Sequence, residues 1–466
     1  MRVCARLIAQ GKPRWSTPLS SELSNSALLS LLARSILTGN AEEDAIVARL
    51  SWTLGRRWRW LRPLARSFLA HFQNRKLGKR DAVEFLRRHE GLSRAWRLYH
   101  SEIAVAHWTT EPQRMQPVAA AARWGLPALE SVLELAAWLR MDASELDWFA
   151  DLKGFGAKSG VIARNPKLVH YNYRVLKKTS GGLRMIEAPK AHLKMMQRQI
   201  LAEILDRVPV HDAAHGFVRG RSIRSFAAPH AGRRVVLRMD LEDFFPSISG
   251  RRVQAFFRTA GYPESVADLL GGLCTNAVPR GAWAGVSRGG DPAMLFEARK
   301  LYARPHLPQG APTSPALANI CAYRVDCRLS ALAKAAGAVY TRYADDLAFS
   351  GDAEFDRCVE RFAARAASIL LEEGFAVQHR KTRVMRQGVR QYLAGLVVNE
   401  RVNTVRADYE RLKATLHNCI QHGPESQNRE GHAAFRQHLE GRVEFVASVH
   451  AQRGERLRAM FRQIAW

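Results

Sequence analysis

Three carboxylates carry the strongest chemical signal in this 466-residue chain. Asp240 closes the run VVLRMD, whose β-branched and apolar residues predict a strand that delivers the acid to its end. Asp345 and Asp346 sit side by side in TRYADDLAF, with strand formers on both flanks, so the pair falls in a turn between two strands. Adjacent carboxylates repel each other and destabilise the ionised state unless a cation neutralises them. Taken alone, two aspartates in a turn are more often a solvated hairpin tip. If Asp240 approaches Asp345, the two form a hard-oxygen site suited to magnesium. Two such ions about 4 Å apart can stabilise the attacking and leaving oxygens of phosphoryl transfer.

The elements that must position these acids follow from hydrophobic period. VVLRMDLEDFF predicts a strand ending in acids, AVYTRYADDLAFSG a strand-turn-strand, and RQYLAGLVVN a further strand. SPALANICAYRVDCRLSALAKAAG and DRCVERFAARAASILLEEG predict helices between them. From about residue 405 the pattern becomes mostly helical again. The first 150 residues also have helical spacing, in ALLSLLARSIL, AIVARLSWTL and ALESVLELAAWLRM. Nine of the eleven tryptophans lie there, Trp108 among them. Trp58 and Trp60 interleave with Arg56, Arg57, Arg59 and Arg62, which suits either helix packing or a clamp on single-stranded bases. GFGAKSGVIARNP, at 154–166, is Gly-rich and basic and predicts a linker. The fold class is α+β: a helical front, a mixed middle and a helical tail.

Composition narrows the partner. With 71 Lys+Arg against 43 Asp+Glu, the formal charge is +28, spread over both the helical front and the remainder. Such a surface repels itself unless a polyanion neutralises it, and nucleic acid is the commonest one. A merely soluble basic enzyme is the alternative on charge alone. No apolar run approaches the roughly 18 residues of a membrane span. The start, MRVCARLIAQGKPRW, lacks a signal-peptide pattern, so a cytoplasmic protein without membrane contact is expected. Six cysteines, Cys4, Cys274, Cys321, Cys327, Cys358 and Cys419, show no zinc spacing and are expected to be reduced thiols.

In this company the aspartates resemble the catalytic residues of a reverse transcriptase. YADD at Tyr343–Asp346 looks like that family's catalytic turn, and MDLEDFFPS at Met239–Ser247 like its first catalytic strand. LPQGAPTSPALAN at Leu307–Asn319 is similar to the segment beneath the incoming nucleotide. The resemblance covers roughly residues 165–450. It implies a right-hand polymerase with fingers and palm over 161–400, a helical thumb over 401–466 and a helical N-terminal extension over 1–160. It implies two magnesium ions held by Asp240 and Asp345, with Asp346 close by and the Leu241 carbonyl as a further oxygen. Phe245 would block a ribose 2′-hydroxyl, which selects dNTPs. Gln309 and Gly310 would line the sugar pocket, and Lys177, Lys178 and Arg184 would hold the triphosphate. Lys381 would stand near the leaving pyrophosphate as a general acid, and LAGLVVN at Leu393–Asn399 resembles the hairpin that supports the primer end.

Within that family the chain is most similar to the bacterial retron enzymes with a long N-terminal extension, on VPVHDAAHGFVRGRSI and LSALAKAAGAVYTRYADDLAFS. This implies an RNA-directed DNA polymerase that copies part of a structured noncoding RNA, its template and primer, into DNA for antiphage defence. An effector or toxin protein is an implied partner, and the N-terminal helices are expected to recognise RNA or dock that effector. Two family elements for RNA handling differ. Asn-Ala-x-x-His is Phe226-Ala227-Ala228-Pro229-His230, and Val-Thr-Gly is Leu393-Ala394-Gly395. His230, Leu393, Ala394 and Gly395 are therefore candidate nucleic-acid contacts, although a lone histidine after proline suits a locally bonded loop residue equally well. The alternatives are a defence-associated reverse transcriptase with other priming, and a non-catalytic scaffold on the same fold. Oligomeric state is not legible.

Overall fold

The computed structural model describes residues 25–38, 40–72, 78–103, 105–106, 115–157, 169–178, 181–284 and 291–466. Cys4, Trp108 and positions 158–166 of the expected linker lie outside the described residues. The chain divides into two compact units, 1–113 and 114–466. The unit boundary therefore differs from the expected one near 160. Leu129, Leu135, Leu146 and Ala150, assigned above to the helical front, pack into the core of the larger unit. Periodicity shows which face of a helix is apolar, but not which core receives that face.

The smaller unit is helical, with Asn25–Leu37, Glu43–Thr53, Leu61–His71, Lys79–Arg88 and Glu90–Tyr99. Leu61, Leu64, Ala65 and Phe68 recur at three- and four-residue spacing and all are buried. They meet Leu32, Leu50 and Leu86 in a core of their own. Trp58 belongs to that core, with its ring 5.4 Å from Tyr99 and the Arg56 guanidinium 3.5 Å over it. Packing, rather than display to solvent, is what the structure gives Trp58.

The larger unit is built on a five-stranded antiparallel sheet. Its strands are β3 (Val235–Glu242), β4 (Val339–Tyr343), β5 (Asp346–Gly351), β6 (Ala376–Val377) and β7 (Arg383–Arg386). Ahead of it, β1 (Tyr171–Lys177) and β2 (Leu183–Pro189) form a hairpin. After it, β8 (Tyr392–Leu393), β9 (Leu396–Val397) and β10 (Asn403–Thr404) form a small third sheet. RQYLAGLVVN forms a tight hairpin, as the family resemblance implies, where its pattern alone suggests one strand. Ala394 and Gly395, with φ of 44° and 92°, supply the two positive-φ positions of a type I′ connection.

β3 is central, paired with β5 on one edge and with β7 and β6 on the other. Successive side chains of a strand point to opposite faces. Val235, Leu237, Met239 and Leu241 accordingly face the main core, where Leu317, Leu329, Phe355 and Phe362 meet them. These partners come from the helices Ser314–Ala335 and Ala353–Glu372. Val236 faces a second cluster with Phe226, Ala348, Leu393 and Leu396, and Arg238 and Asp240 continue that face. Helices Arg406–His422, Phe435–Val449 and Ala451–Arg462 close the chain around Leu412, Leu416, Leu439 and Leu457. No helix among the described residues is long and apolar enough to cross a membrane.

Candidate active site

The β3–β5 register places Asp240 directly opposite Asp346. Residues opposite one another in an antiparallel pair share a face, so both carboxylates leave the sheet on the side away from the main core. β4 and β5 are joined through Ala344 and Asp345 alone, and Ala344 takes φ +55°. Positive φ at the first turn position suits a two-residue hairpin but is disfavoured for alanine. The Leu241 N–H donates to the Asp345 carbonyl at 2.9 Å, which ties the turn to β3.

A cleft of about 420 Å³ opens over these acids. Asp240, Leu241, Asp345 and Lys381 line one part of it, and Lys177, Lys178 and Arg184 of the β1–β2 hairpin line another. Phe245 and Gln309 complete the set expected from the sequence. Gly310 and Asp346 are not among the lining residues. Gly310 instead lies against β2, where a Cβ would stand 2.9 Å from the Glu187 carbonyl oxygen; its φ of +134° also requires glycine. The cleft contains Asp243, Phe217, Glu242 and Gln378 as well, which sequence reasoning did not single out.

Electrostatics couple the acids to two cations. Lys381 Nζ donates to Asp240 Oδ2 at 3.0 Å, and Arg238 grips Asp346 Oδ1 through Nε at 2.9 Å and Nη2 at 2.7 Å. Lys178 pairs with Asp243. Among the described residues Asp345 has no ion pair of its own, and Lys381 only partly offsets its charge. Burial first, then the charge of Asp346, pushes its carboxyl up to about 6, with Asp240 adding to the effect. Asp346 is also raised by burial, against the pull of Arg238. These oxygens fit a divalent cation in donor chemistry. Among the described residues, however, no three His, Cys, Asp or Glu side chains already converge as a metal cage.

A buried network beneath the turn was not foreseen. Arg342, fully buried, pairs with the equally buried Asp326, Nη2 to Oδ2 at 2.6 Å. Its Nη1 donates to the Asn319 side chain at 3.0 Å and to the Ala344 carbonyl at 3.1 Å. Asn319 in turn donates to the Gly216 carbonyl at 2.8 Å. A Cβ on Gly216 would lie 2.5 Å from the Ala344 nitrogen, so only glycine lets this segment close on the turn. The legible signal was Asp326 itself, an acid between Ala322, Leu329 and Ala333 on the buried face of its helix.

Of the four candidate nucleic-acid contacts, His230 and Leu393 are buried. His230 has no exposed surface; its Nδ1 bonds Ser350 Oγ and its Nε2 bonds Thr341 Oγ1, each at 2.7 Å. Thr341 donates its hydroxyl proton to the Phe226 carbonyl, so Nε2 donates to Thr341 and Nδ1 accepts from Ser350. His230 therefore ties β4 to β5 from a buried position. Leu393 is likewise buried, in the cluster with Phe226, and only the turn at Ala394–Gly395 is accessible.

Burial lowers the His230 pKa to about 3, with His215 and Arg233 contributing. An unfolded histidine titrates near 6.5, so between these values the unfolded chain binds the extra proton. Stability then rises with pH across this window and is lost on acidification. Going from pH 7 to pH 5 should cost about 2 kcal/mol through this side chain. Denaturant midpoints against pH test this: His230→Gln should flatten the slope, and an unchanged slope would refute the assignment.

Comparison with known proteins agrees with this geometry. Residues 175–404 match the family model described as reverse transcriptase (RNA-dependent DNA polymerase). The retron Mx65 reverse transcriptase of Myxococcus xanthus is 39% identical over 72% of this chain and 72% of its own length. The retron Mx162 reverse transcriptase of the same organism is 36% identical, over 73% of this chain and 68% of its own. The retron Ec86 reverse transcriptase of Escherichia coli is 29% identical, over 62% and 79%. Polymerases of this family generally use divalent metal ions. Similarity at this level, over more than two thirds of two such relatives, shows that the chain belongs to the retron reverse transcriptases and is an RNA-directed DNA polymerase.

Proposed function

We propose that the chain copies part of a cognate structured noncoding RNA into single-stranded DNA, in the cytoplasm, and that the product serves antiphage defence. The observation that supports this best is the single cleft that collects Asp240, Asp345, Lys381, Lys178, Arg184, Phe245 and Gln309 from distant segments. In this reading the β1–β2 hairpin belongs to the fingers, the five-stranded sheet is the palm, and residues 401–466 form the thumb.

Each side chain then has a task that its position suits. Lys177, Lys178 and Arg184 face a triphosphate, with Lys178 exchanging its Asp243 partner for a phosphate oxygen. Phe245 fills the space a ribose 2′-hydroxyl would need, and Gln309 lies along the sugar. Lys381, on Asp240, is placed to donate a proton to the departing pyrophosphate. Asp240, Asp345 and the Leu241 carbonyl, with Asp346 close by, would hold two Mg²⁺, which when bound supply charge neutralisation and an activated 3′-hydroxyl.

Retron priming from an internal 2′-hydroxyl predicts a branched product. The buried Phe226 and Leu393 favour a second reading, in which the RNA is held and primed differently. Nucleic acid copurified from the native locus separates the two. It should be sequenced after RNase, DNase and debranching treatment, beside an Asp345→Ala control. A discrete DNA joined to RNA and shifted by debranching is expected, and unbranched or protein-linked DNA would replace it under the second reading.

A further inference from the structure

Phe217 stands out among the residues of the cleft. It takes φ +61°, a left-handed conformation that bulky side chains avoid, and its ring is 50% exposed. Neither property helps folding: the backbone is strained and a large apolar surface stays in water.

The two residues before Phe217 are fixed to the sheet. The His215 N–H donates to the Arg342 carbonyl at 2.7 Å, the Gly216 carbonyl accepts from Asn319, and Gly216 sits directly on the Ala344 backbone. The segment is clamped to the aspartate hairpin, and Phe217 turns out into the cleft. Its ring centroid lies 6.1 Å from that of Phe245 and 6.4 Å from that of Tyr343. Phe226, fully buried, backs Tyr343 at 5.8 Å. The result is an aromatic wall in a cleft whose β1–β2 side carries Lys177, Lys178 and Arg184.

A nucleotide in such a cleft places its phosphates on the cations and its base on the aromatic side. We infer that Phe217 packs its exposed face on a nucleobase at the insertion position and so sets the affinity for incoming dNTP. The inference rests on the polymerase reading above. Every base offers a π face, so this contact adds affinity without a sequence preference.

The test is steady-state dNTP incorporation on a primed RNA template by the full chain, comparing wild type, Phe217→Ala, Phe217→Leu, Phe217→Tyr and Asp345→Ala. Phe217→Ala should raise KM for all four dNTPs on the order of 5- to 150-fold, with a smaller change in kcat. Phe217→Tyr should keep the wild-type KM, and Phe217→Leu should fall between. Melting temperature should change little in any Phe217 variant, because half of the ring is already exposed. A KM equal to wild type in Phe217→Ala or Phe217→Leu overturns the inference. So does a defect seen only as acceptance of ribonucleotides, which would make Phe217 a buttress of Phe245. A wild type no better than Asp345→Ala would remove the polymerase reading itself and this inference with it.

Discussion

Replacing Asp345 with alanine should reduce dNTP incorporation by on the order of 10³-fold or more while leaving the chain folded. The loss follows from its place in the two-residue turn over the cleft, one position from Asp346 and tied by its carbonyl to β3. The stability consequence runs the other way. Its carboxyl is pushed up to about 6 from the usual 3.8, by burial and then by Asp346, so the folded chain holds the proton more tightly than the unfolded one. Such a group contributes stability that is full below about pH 4 and is lost as pH rises through 6. At pH 8 in chelator, Asp345→Ala should therefore melt no lower than wild type and be more stable by up to about 3 kcal/mol. Incorporation and melting curves check both halves. A variant that incorporates like wild type would remove Asp345 from the site.

Breaking the Asp326–Arg342 pair should have the largest effect on stability. Both side chains are fully buried, so Asp326→Asn leaves an uncompensated guanidinium and should cost about 3–5 kcal/mol. Incorporation should fall as well, because Arg342 also holds the Ala344 carbonyl of the turn. The double variant Asp326→Leu/Arg342→Met separates the two effects. An apolar replacement of similar volume restores much of the stability of a buried pair, yet it cannot bond Ala344 or Asn319. Denaturant unfolding should thus recover in part, since the buried Tyr340 hydroxyl also loses Asp326, while incorporation stays low. Recovery of both would show that the pair serves packing alone.

These two sites also differ in how far the sequence revealed them. Asp240, Asp345 and Asp346 were legible because their signal is local: strand-forming runs that end in acids, at a turn too short to hide them. The strand alternation in VVLRMDL likewise gave β3 and its faces. Lys178, Arg184, Phe245, Gln309 and Lys381 come together from segments far apart in sequence, and only family resemblance linked them beforehand. Arg342 was invisible among 71 basic residues, since nothing local separates a buried arginine from a solvated one. The unit boundary was missed for a related reason. The helix Val132–Trp138 has the same amphipathic spacing as its predecessors, and only tertiary contact assigns it to the larger core. His230 was open between two roles because a lone histidine carries no record of its partners.

The pairing of β3 has a consequence for the order in which the protein assembles during translation. Asp240 meets Asp346, and Val235 meets Arg386, so each edge of β3 waits for a strand encoded about a hundred residues or more downstream. At the usual pace of synthesis the strand is outside the ribosome for roughly 5–20 s before β5 follows. Residues 1–113, which carry their own core, have by then been completed. The helical unit therefore precedes the polymerase sheet in synthesis and can meet a partner while that sheet is still unassembled.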